Sequence, residues 1–511
     1  MISKKIVLLL ITMVLSLSLI SFTIISAATE PTKDYSDPKN LLPGSYIGLD
    51  DYGFPWAKDL GVLRGSFYEM GIQFGERDAV RILEMADHYV LPVILKQFES
   101  AEQCLVTLAK YRKCHEIFSP QWMDFVAGSA VGAAEELKKS KYAKDFSSFD
   151  IMFALNLEWA IRNPPRWRME ELGIGSLSSN RFDETEELMN ACNGMWVKGS
   201  ATKYGQTFTY FSNQMVLYPH YKCVMIPDDP KANVVFMTGS VGRVFQNGYM
   251  ISDKGVEFHV LAAGVSTGTP EGDKFKDFGL ETYVPLAHAA WFAKDAKEAV
   301  EWLTQGTPEY KEKTGRNSLL RARPNIVSIT DQNEAYVVEF TAHRYGIRRP
   351  GDLGEKDNNY IAFSNNFFCD RSYDENNVKT SLPMTEYTDS NPTNRASSAE
   401  RSYTFMWLVK NNYGKIDKDM IMYEIAPTHC RYKEDGTKIE PELNEDGYFV
   451  PISAVCDHGG YEVGKLPSGS MRSVLHLHDT LDIWHIPAWP CLFKDVGWNR
   501  TSIYWLRPHV Q

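Results

Sequence analysis

The sequence lacks the basic charge that nucleic-acid binding requires. Its 511 residues carry 54 Lys and Arg against 65 Asp and Glu, a formal net charge of −11. Phosphate backbones are bound through clustered cations, and this chain has no basic run. A nucleic-acid partner is therefore not expected.

Closely spaced cysteine pairs are missing as well. The eight cysteines are scattered along the chain, at positions 104, 114, 192, 223, 369, 430, 456 and 491. Zinc ribbons and dithiol redox motifs need short spacings between cysteines, so the pattern excludes both signatures. It assigns no disulfide pairing.

Long apolar runs are confined to the N-terminus. Lys4 and Lys5 precede an apolar run over residues 6–25, and Ser26 and Ala28 fit the small positions that signal peptidase reads. We expect residues 1–28 to be a signal peptide, and the protein to be secreted or extracytoplasmic without a stable membrane span. The same run is long enough to remain as an uncleaved anchor.

In the rest of the chain, the pattern of apolar residues changes from helical to strand-like near residue 192. Apolar residues recur at helical spacing between residues 61 and 170, whereas short β-branched and aromatic runs follow residue 192. We expect a helical N-terminal segment over residues 29–191 and a strand-rich catalytic domain over residues 192–511. The order of elements predicts an α+β fold with mainly antiparallel sheets.

Cys192 lies at the boundary between the helical pattern and the strand pattern. A polar stretch, SLSSNRFDETEE, precedes it, and the first predicted strand follows it. If the peptide bond between Ala191 and Cys192 is cut, the thiol and an amine of pKa near 8 belong to one residue, and that amine can act as the base. A cysteine beside Ala and Asn is otherwise most often a small buried hydrophobe.

Nine motifs resemble, in order, the penicillin acyltransferase-like cysteine hydrolases. They are LGVLRGSFYEMGIQFGE, PQWMDFVAGSAVGAAEEL, FDIMFALNLEW, CNGMWVKGSATKYGQTFTYFSNQM, GYMISDKGVEF, RPNIVSITDQNEAYVVEF, FSNNFF, SSAERSYTFMWLVKNNYGKID and SAVCDHGG. The resemblance implies a four-layer αββα fold of the N-terminal-nucleophile type. It also implies a precursor that cuts itself into an αβ heterodimer.

The same resemblance assigns the site. Cys192 becomes the nucleophile that attacks a small-molecule amide or acyl substrate, and Asn365 or Asn366 completes the oxyanion hole. Asn213 orients the site. Phospholipase-B-like proteins share the architecture, which keeps a lipid hydrolase open as an alternative.

The chain departs from the family pattern beside Asn213. Many relatives carry an arginine and an aspartate around the position of Asn213, whereas this chain has Ser212 and Met215 there. A non-catalytic binding or scaffold protein with the same fold is therefore the competing interpretation. Ser252 stands where bile-salt-hydrolase relatives carry a second oxyanion asparagine. Arg401 lies in the matching helix and is a candidate for binding a substrate carboxylate.

His476 and His478 form a second candidate constellation. In a strand, alternation places both on one face, at metal-ligand spacing, with Cys456, His458 or His485 as possible further ligands. Strand histidines are more often satisfied or exposed side chains, and the HExxH signature of zinc hydrolases is missing. We therefore expect no metal and no cofactor in the catalytic site.

Overall fold

The structure is a computed structural model of the whole chain. It describes residues 46–48, 59–162, 165–174, 192–212, 220–245, 249–263, 277–387, 392–441, 455–456, 473–486, 490 and 498–502. The predicted signal peptide, Ala191, Asn213, Met215 and His458 lie outside these residues.

Helices dominate the chain before Cys192. The α-helices among the described residues are α1 (Phe67–Glu84), α2 (Leu91–Leu95), α3 (Ala101–Phe118), α4 (Pro120–Gly132), α5 (Ala134–Leu137), α6 (Ser148–Arg162), α7 (Arg166–Glu171), α8 (Tyr283–Phe292), α9 (Ala296–Gln305), α10 (Pro308–Thr314), α11 (Pro392–Asn411) and α12 (Lys418–Met420). Single π-helical turns continue α1 at Met85–Val90 and α12 at Ile421–Ile425. Short 3₁₀ turns lie at Lys356–Asn358 and Met384–Tyr387.

Strands dominate the chain after Cys192. In chain order the strands are β1 (Tyr46–Gly48), β2 (Asp59–Gly65), β3 (Asn193–Gly199), β4 (Gly205–Ser212), β5 (His220–Pro227), β6 (Val235–Ser240), β7 (Tyr249–Ser252), β8 (Glu257–Ala262), β9 (Asn325–Thr330), β10 (Ala335–Phe340), β11 (Tyr345–Arg348), β12 (Tyr360–Ser364), β13 (Arg431–Tyr432), β14 (Lys438–Ile439), β15 (Ser473–Leu477), β16 (Asp482–Ile486) and β17 (Asn499–Ser502). Strands β3 and β4 form one antiparallel hairpin, and β9 and β10 form another.

The strands form two large sheets. A nine-stranded sheet has the order β1-β2-β5-β6-β7-β8-β9-β10-β11, and a six-stranded sheet has the order β12-β3-β4-β15-β16-β17. The β2–β5 pair is parallel, and every other recorded pair of these two sheets is antiparallel. The predicted α+β class with mainly antiparallel sheets is therefore confirmed.

The two sheets face each other between layers of helices. Helices α1, α8 and α9 pack on the nine-stranded sheet, whereas α11 packs on β12 and β3 of the six-stranded sheet. Between the sheets, the Trp196 indole donates to the Asp331 carbonyl at 3.0 Å, and the hydroxyls of Thr209 and Thr330 lie 2.9 Å apart. The predicted four-layer αββα architecture is confirmed by this packing.

The segment before Cys192 is less purely helical than the sequence predicts. Strands β1 and β2 precede the helices, and β2 joins the nine-stranded sheet by pairing with β5 from the other side of Cys192. The apolar run around Val62 and Leu63 is short and lies next to a helical pattern, so the sequence alone does not identify it as a strand. The residues before and after Cys192 thus build one shared sheet.

Glycines allow α1 and α4 to pack backbone against backbone. A Cβ atom added at Gly71 would come within 2.2 Å of the Phe125 carbonyl oxygen, and one added at Gly128 within 2.0 Å of the Tyr68 carbonyl oxygen. No side chain can shift to relieve contacts with backbone, so both positions require glycine. Two of the family-like motifs therefore encode a helix-packing contact.

No helix in the described part of the chain is long and apolar enough to span a membrane. This finding does not extend to the N-terminal run, which lies outside the described residues.

Candidate active site

Cys192 lies directly before β3, where neighbouring strands of the six-stranded sheet end together. The ladder pairs Asn193 with Ser364 of β12 on one side and with Ser212 of β4 on the other. Cys192 and Asn365 are the residues directly next to the last recorded pair, Asn193 with Ser364. Asn213 follows Ser212 on the other side but lies outside the described residues.

The Cys192 side chain is buried. It is 3% exposed, belongs to the larger apolar cluster, and forms no disulfide with any other described cysteine. Its burial in the uncut chain fits a structural cysteine.

Asn365 joins the end of the six-stranded sheet to the end of β8. Its Nδ2 donates to the Ala262 carbonyl at 2.6 Å, and its Oδ1 accepts from an Arg401 guanidinium nitrogen at 2.9 Å. Since arginine has donors only, the amide oxygen must face Arg401 and the amide N–H groups must face away. The same Arg401 nitrogen donates to the Ser398 hydroxyl at 3.0 Å, which ties it to α11.

The structure separates the two candidate oxyanion asparagines. Asn366 is as buried as Asn365, but its Nδ2 donates at 3.4 Å to the carbonyl of its own neighbour, Phe367. Asn365, and not Asn366, directly follows Ser364 in the last recorded pair of the ladder. Arg401 is 1% exposed and contacts Asn365, and its predicted role as a substrate ligand stays a prediction.

Glu339 holds the turn that follows the two asparagines. Its carboxylate accepts from the Phe368 N–H at 2.9 Å, from the Cys369 N–H at 2.8 Å and from the Arg348 Nε at 2.8 Å. Burial raises the pKa of Glu339, while Arg348 and the backbone N–H groups oppose that rise. The sequence analysis did not identify this positioning pair, because Glu339 and Arg348 read as ordinary strand residues of β10 and β11.

The SAVCDHGG motif also reaches the start of β3. Asn193 Nδ2 donates to the Val455 carbonyl at 3.4 Å, and the Cys456 N–H donates to the Thr428 carbonyl at 3.0 Å. A segment more than two hundred residues downstream therefore borders the candidate nucleophile.

Ser252 lies elsewhere. Its hydroxyl accepts from the Val256 N–H at 3.3 Å within the β7–β8 turn. This turn is at the Glu257 end of β8, whereas Asn365 contacts Ala262 at the other end. The structure does not bring Ser252 to the Asn365 end, and its predicted role in substrate binding stays a prediction.

A second polar group fills the space between the sheets at the Glu257 end. Glu257 Oε1 lies 2.6 Å from His259 Nε2, and Glu257 Oε2 lies 2.9 Å from His476 Nδ1 and 3.6 Å from His478 Nε2. All four side chains are 0% to 4% exposed. The predicted common face of His476 and His478 is present, and Glu257 is the partner that the sequence analysis missed.

Two of the three possible further ligands, Cys456 and His485, have other partners, and His458 lies outside the described residues. His485 Nε2 is 2.9 Å from the Lys222 ammonium, and Cys456 follows Val455, which contacts Asn193. Alternation along β8 places Glu257 and His259 on one face, as alternation along β15 and the residue after it does for His476 and His478. This second alternating pair of polar residues is the sequence feature that could have identified Glu257 as a partner.

Burial and charge set the protonation of this group. Burial alone would raise the pKa of Glu257, but the adjacent His259 and His476 outweigh it and hold the pKa well below its usual range. Burial and the neighbouring His476 lower the pKa of His478 well below its ordinary value. A carboxylate thus faces an uncharged imidazole.

Comparisons with known proteins are remote. No protein-family model matches the chain, and no curated protein matches it. Similar solved structures include a mutant of the conjugated bile acid hydrolase from Clostridium perfringens, with 13% identity and a TM-score of 0.33, covering 61% of this chain and 92% of that chain. A variant of the same hydrolase matches at 13% identity and a TM-score of 0.31, with the same coverages. The penicillin acyltransferase-like resemblance stays a prediction.

Proposed function

We propose that the protein is an exported cysteine hydrolase or acyltransferase of the N-terminal-nucleophile type, which acts on an amide or ester bond. One observation carries the proposal: the β3–β12 ladder ends at the Asn193–Ser364 pair, so Cys192 and Asn365 are the residues directly next to its last pair, and Arg401 holds the Asn365 amide. A thiol beside a fixed neutral N–H donor is the pair that acyl transfer needs.

The enzyme is first formed by hydrolysis of the Ala191–Cys192 peptide bond, in which water leaves a carboxylate on Ala191 and a primary amine on Cys192. This amine takes the thiol proton while the sulfur attacks the carbonyl carbon of the substrate. The negative charge moves to the carbonyl oxygen, where Asn365 Nδ2 and a backbone N–H stabilise it. The Cys192 ammonium gives its proton to the leaving nitrogen or oxygen, and collapse of the intermediate expels a neutral amine or alcohol and leaves a thioester on Cys192.

Water or a second amine then attacks the thioester and returns the thiol. Release to water makes the enzyme a hydrolase, and capture by an amine makes it a transferase. Asn365 Nδ2 already donates to the Ala262 carbonyl at 2.6 Å. An amide has a second N–H, so this bond holds the group in place while leaving one donor for the oxyanion.

A non-catalytic scaffold is the second candidate. It is supported by the burial of Cys192, which is 3% exposed and part of the apolar cluster. In a scaffold the thiol fills space, and Cys192→Ala would change stability without removing a reaction.

Trapping of the acyl-enzyme distinguishes the two candidates. Purified protein is mixed with a panel of activated acyl esters and with peptide, N-acyl amino-acid, β-lactam and lipid amides, and acid-quenched samples are measured by intact mass. We expect an acyl adduct on the fragment that begins with Cys192, absent in Cys192→Ala. Cys456→Ala is the matched control because Cys456 is also 3% exposed. Equal labelling of wild type and Cys192→Ala would contradict the proposal.

A further inference from the structure

We propose that Glu257, His476 and His478 bind one divalent transition-metal ion, Zn²⁺, between the two sheets. Each residue offers one ligand atom, and these atoms all lie within 4.8 Å of one another. Two imidazoles and one carboxylate form a donor set that suits zinc, whereas Mg²⁺ and Ca²⁺ favour oxygen ligands alone.

The spacing of the ligand atoms suits the ion. Zinc binds nitrogen and oxygen at about 2.1 Å, so neighbouring ligands of a tetrahedral site lie roughly 3.4 Å apart. Glu257 Oε2 is 2.9 Å from His476 Nδ1 and 3.6 Å from His478 Nε2, one shorter and one longer than this separation. The third separation, between the ligand nitrogens of His476 and His478, is within 4.8 Å.

His478 directs its Nε2 toward the carboxylate. The Gly255 carbonyl lies 3.3 Å from Nδ1 and can only accept, so Nδ1 is the nitrogen that donates to it. Nε2 is then the ring nitrogen that can bind a metal ion, and it lies 3.6 Å from the Glu257 oxygen.

The surrounding groups are those that usually support a metal ligand. A ligating histidine generally donates its other N–H to a backbone carbonyl, as His478 does to Gly255, and a ligating carboxylate is itself hydrogen-bonded, as Glu257 is by His259. His476 Nε2 is buried and has no hydrogen-bond partner within the described ranges. The Thr209 hydroxyl, 2.8 Å from His478 Nε2, or a water can occupy the fourth position.

The site is structural rather than catalytic. Glu257 and His476 are 0% exposed and His478 is 4% exposed, so no substrate reaches a bound ion. Glu257 comes from β8 of the nine-stranded sheet and the histidines from β15 and the residue after it, at the other sheet. A bound ion would stabilise the packing of the two sheets. It would take no part in the reaction proposed for Cys192.

The test is metal content and cobalt spectroscopy of the untagged full chain. After dialysis with Zn²⁺ and gel filtration, we expect about one zinc per wild-type chain and a melting temperature that falls after chelation and recovers with Zn²⁺. Co²⁺ in place of zinc should give the intense visible bands of a tetrahedral site. In His478→Gln we expect zinc content to fall by about tenfold or more.

His485→Gln is the matched control, because His485 is a buried histidine on the neighbouring strand β16 that contacts Lys222 instead of Glu257. It should keep its zinc. Equal metal content in both variants, or a wild-type chain that binds neither zinc nor cobalt, would overturn the proposal. If His478→Gln does not fold, the cobalt spectrum of the wild type decides the outcome.

Discussion

The two ends of strand β8 carry opposite kinds of polar group. At the Ala262 end, Asn365 is a neutral amide whose oxygen accepts from Arg401 and whose Nδ2 uses one of its two N–H groups on the Ala262 carbonyl. At the Glu257 end, a buried carboxylate is surrounded by histidines. Both groups bridge the same two sheets, so position in the fold alone does not distinguish a catalytic site from a structural one.

The chemistry of the groups does distinguish them. A neutral donor held beside a thiol costs little to bury and waits for a charge that forms during a reaction. A buried carboxylate already carries its charge and needs permanent compensation. We therefore expect changes at the Ala262 end to affect catalysis and changes at the Glu257 end to affect stability.

Glu257→Gln should give the largest effect on stability. The amide keeps the shape but removes the charge that His259 and His476 compensate. Breaking a buried pair in this way costs about 3 to 5 kcal/mol in the free energy of unfolding. Urea unfolding at neutral pH measures it. A loss below about 1 kcal/mol would show that the carboxylate is not charged in the folded protein.

Asn365→Ala should give the reverse pattern. Loss of an oxyanion donor lowers kcat by about 100- to 1,000-fold, with a much smaller change in stability than in Glu257→Gln. Single-turnover acylation on Cys192 measures the rate. Asn366→Ala is the control, since Asn366 donates only to its neighbour Phe367. Equal losses in the two asparagine variants would remove the assignment of Asn365.

His115 supplies an acid sensitivity that belongs to neither end of β8. Its Nδ1 lies 2.7 Å from the Tyr111 carbonyl, its Nε2 accepts from the Glu281 N–H at 3.2 Å, and burial lowers its pKa from 6.5 to about 4. The folded protein favours the uncharged ring. The stabilisation is complete above pH 6.5 and is lost as the pH falls toward about 4.

The size of this acid effect is about 3 kcal/mol across that interval. Urea unfolding at a series of pH values measures it, and His115→Gln should flatten the curve. The exposed His88→Gln is the control and should leave the curve unchanged. An identical slope in wild type and His115→Gln would mean that other groups dominate acid unfolding.

Arg401→Gln should give the smallest effect on catalysis. The guanidinium holds the Asn365 amide oxygen at 2.9 Å, and loss of a hydrogen bond to a charged group is worth about 1.5 to 3 kcal/mol. We expect kcat to fall by about 10- to 100-fold, less than in Asn365→Ala. Arg401→Lys should recover part of the rate that Arg401→Gln loses, and this recovery should not depend on whether the substrate carries a carboxylate. A change confined to KM would instead favour substrate binding by Arg401.

The sequence predicts the layers of the fold better than the contacts of the site. Strand and helix patterns after Cys192 are local and strong, so the hairpin β9–β10 and helix α11 follow from the sequence. Strand β2 was not predicted because it is stabilised by parallel pairing with β5, a segment far away in the sequence, and no local pattern shows that pairing.

The same limit explains the site residues. His476 and His478 are close in sequence, and their alternation predicts a shared face. Glu257 is more than two hundred residues away, so only the packing of the two sheets brings it to them. The choice between Asn365 and Asn366 likewise depends on the register of β12 against β3, which the repeated asparagine cannot specify.

Intact-mass measurement of the purified full-length chain tests the central claim most directly. We expect two fragments, the larger starting at Cys192 with an unblocked amine, while Cys192→Ala remains a single chain. A wild-type protein that stays in one piece, and reacts with no acyl donor, would contradict the proposed nucleophile and favour the scaffold.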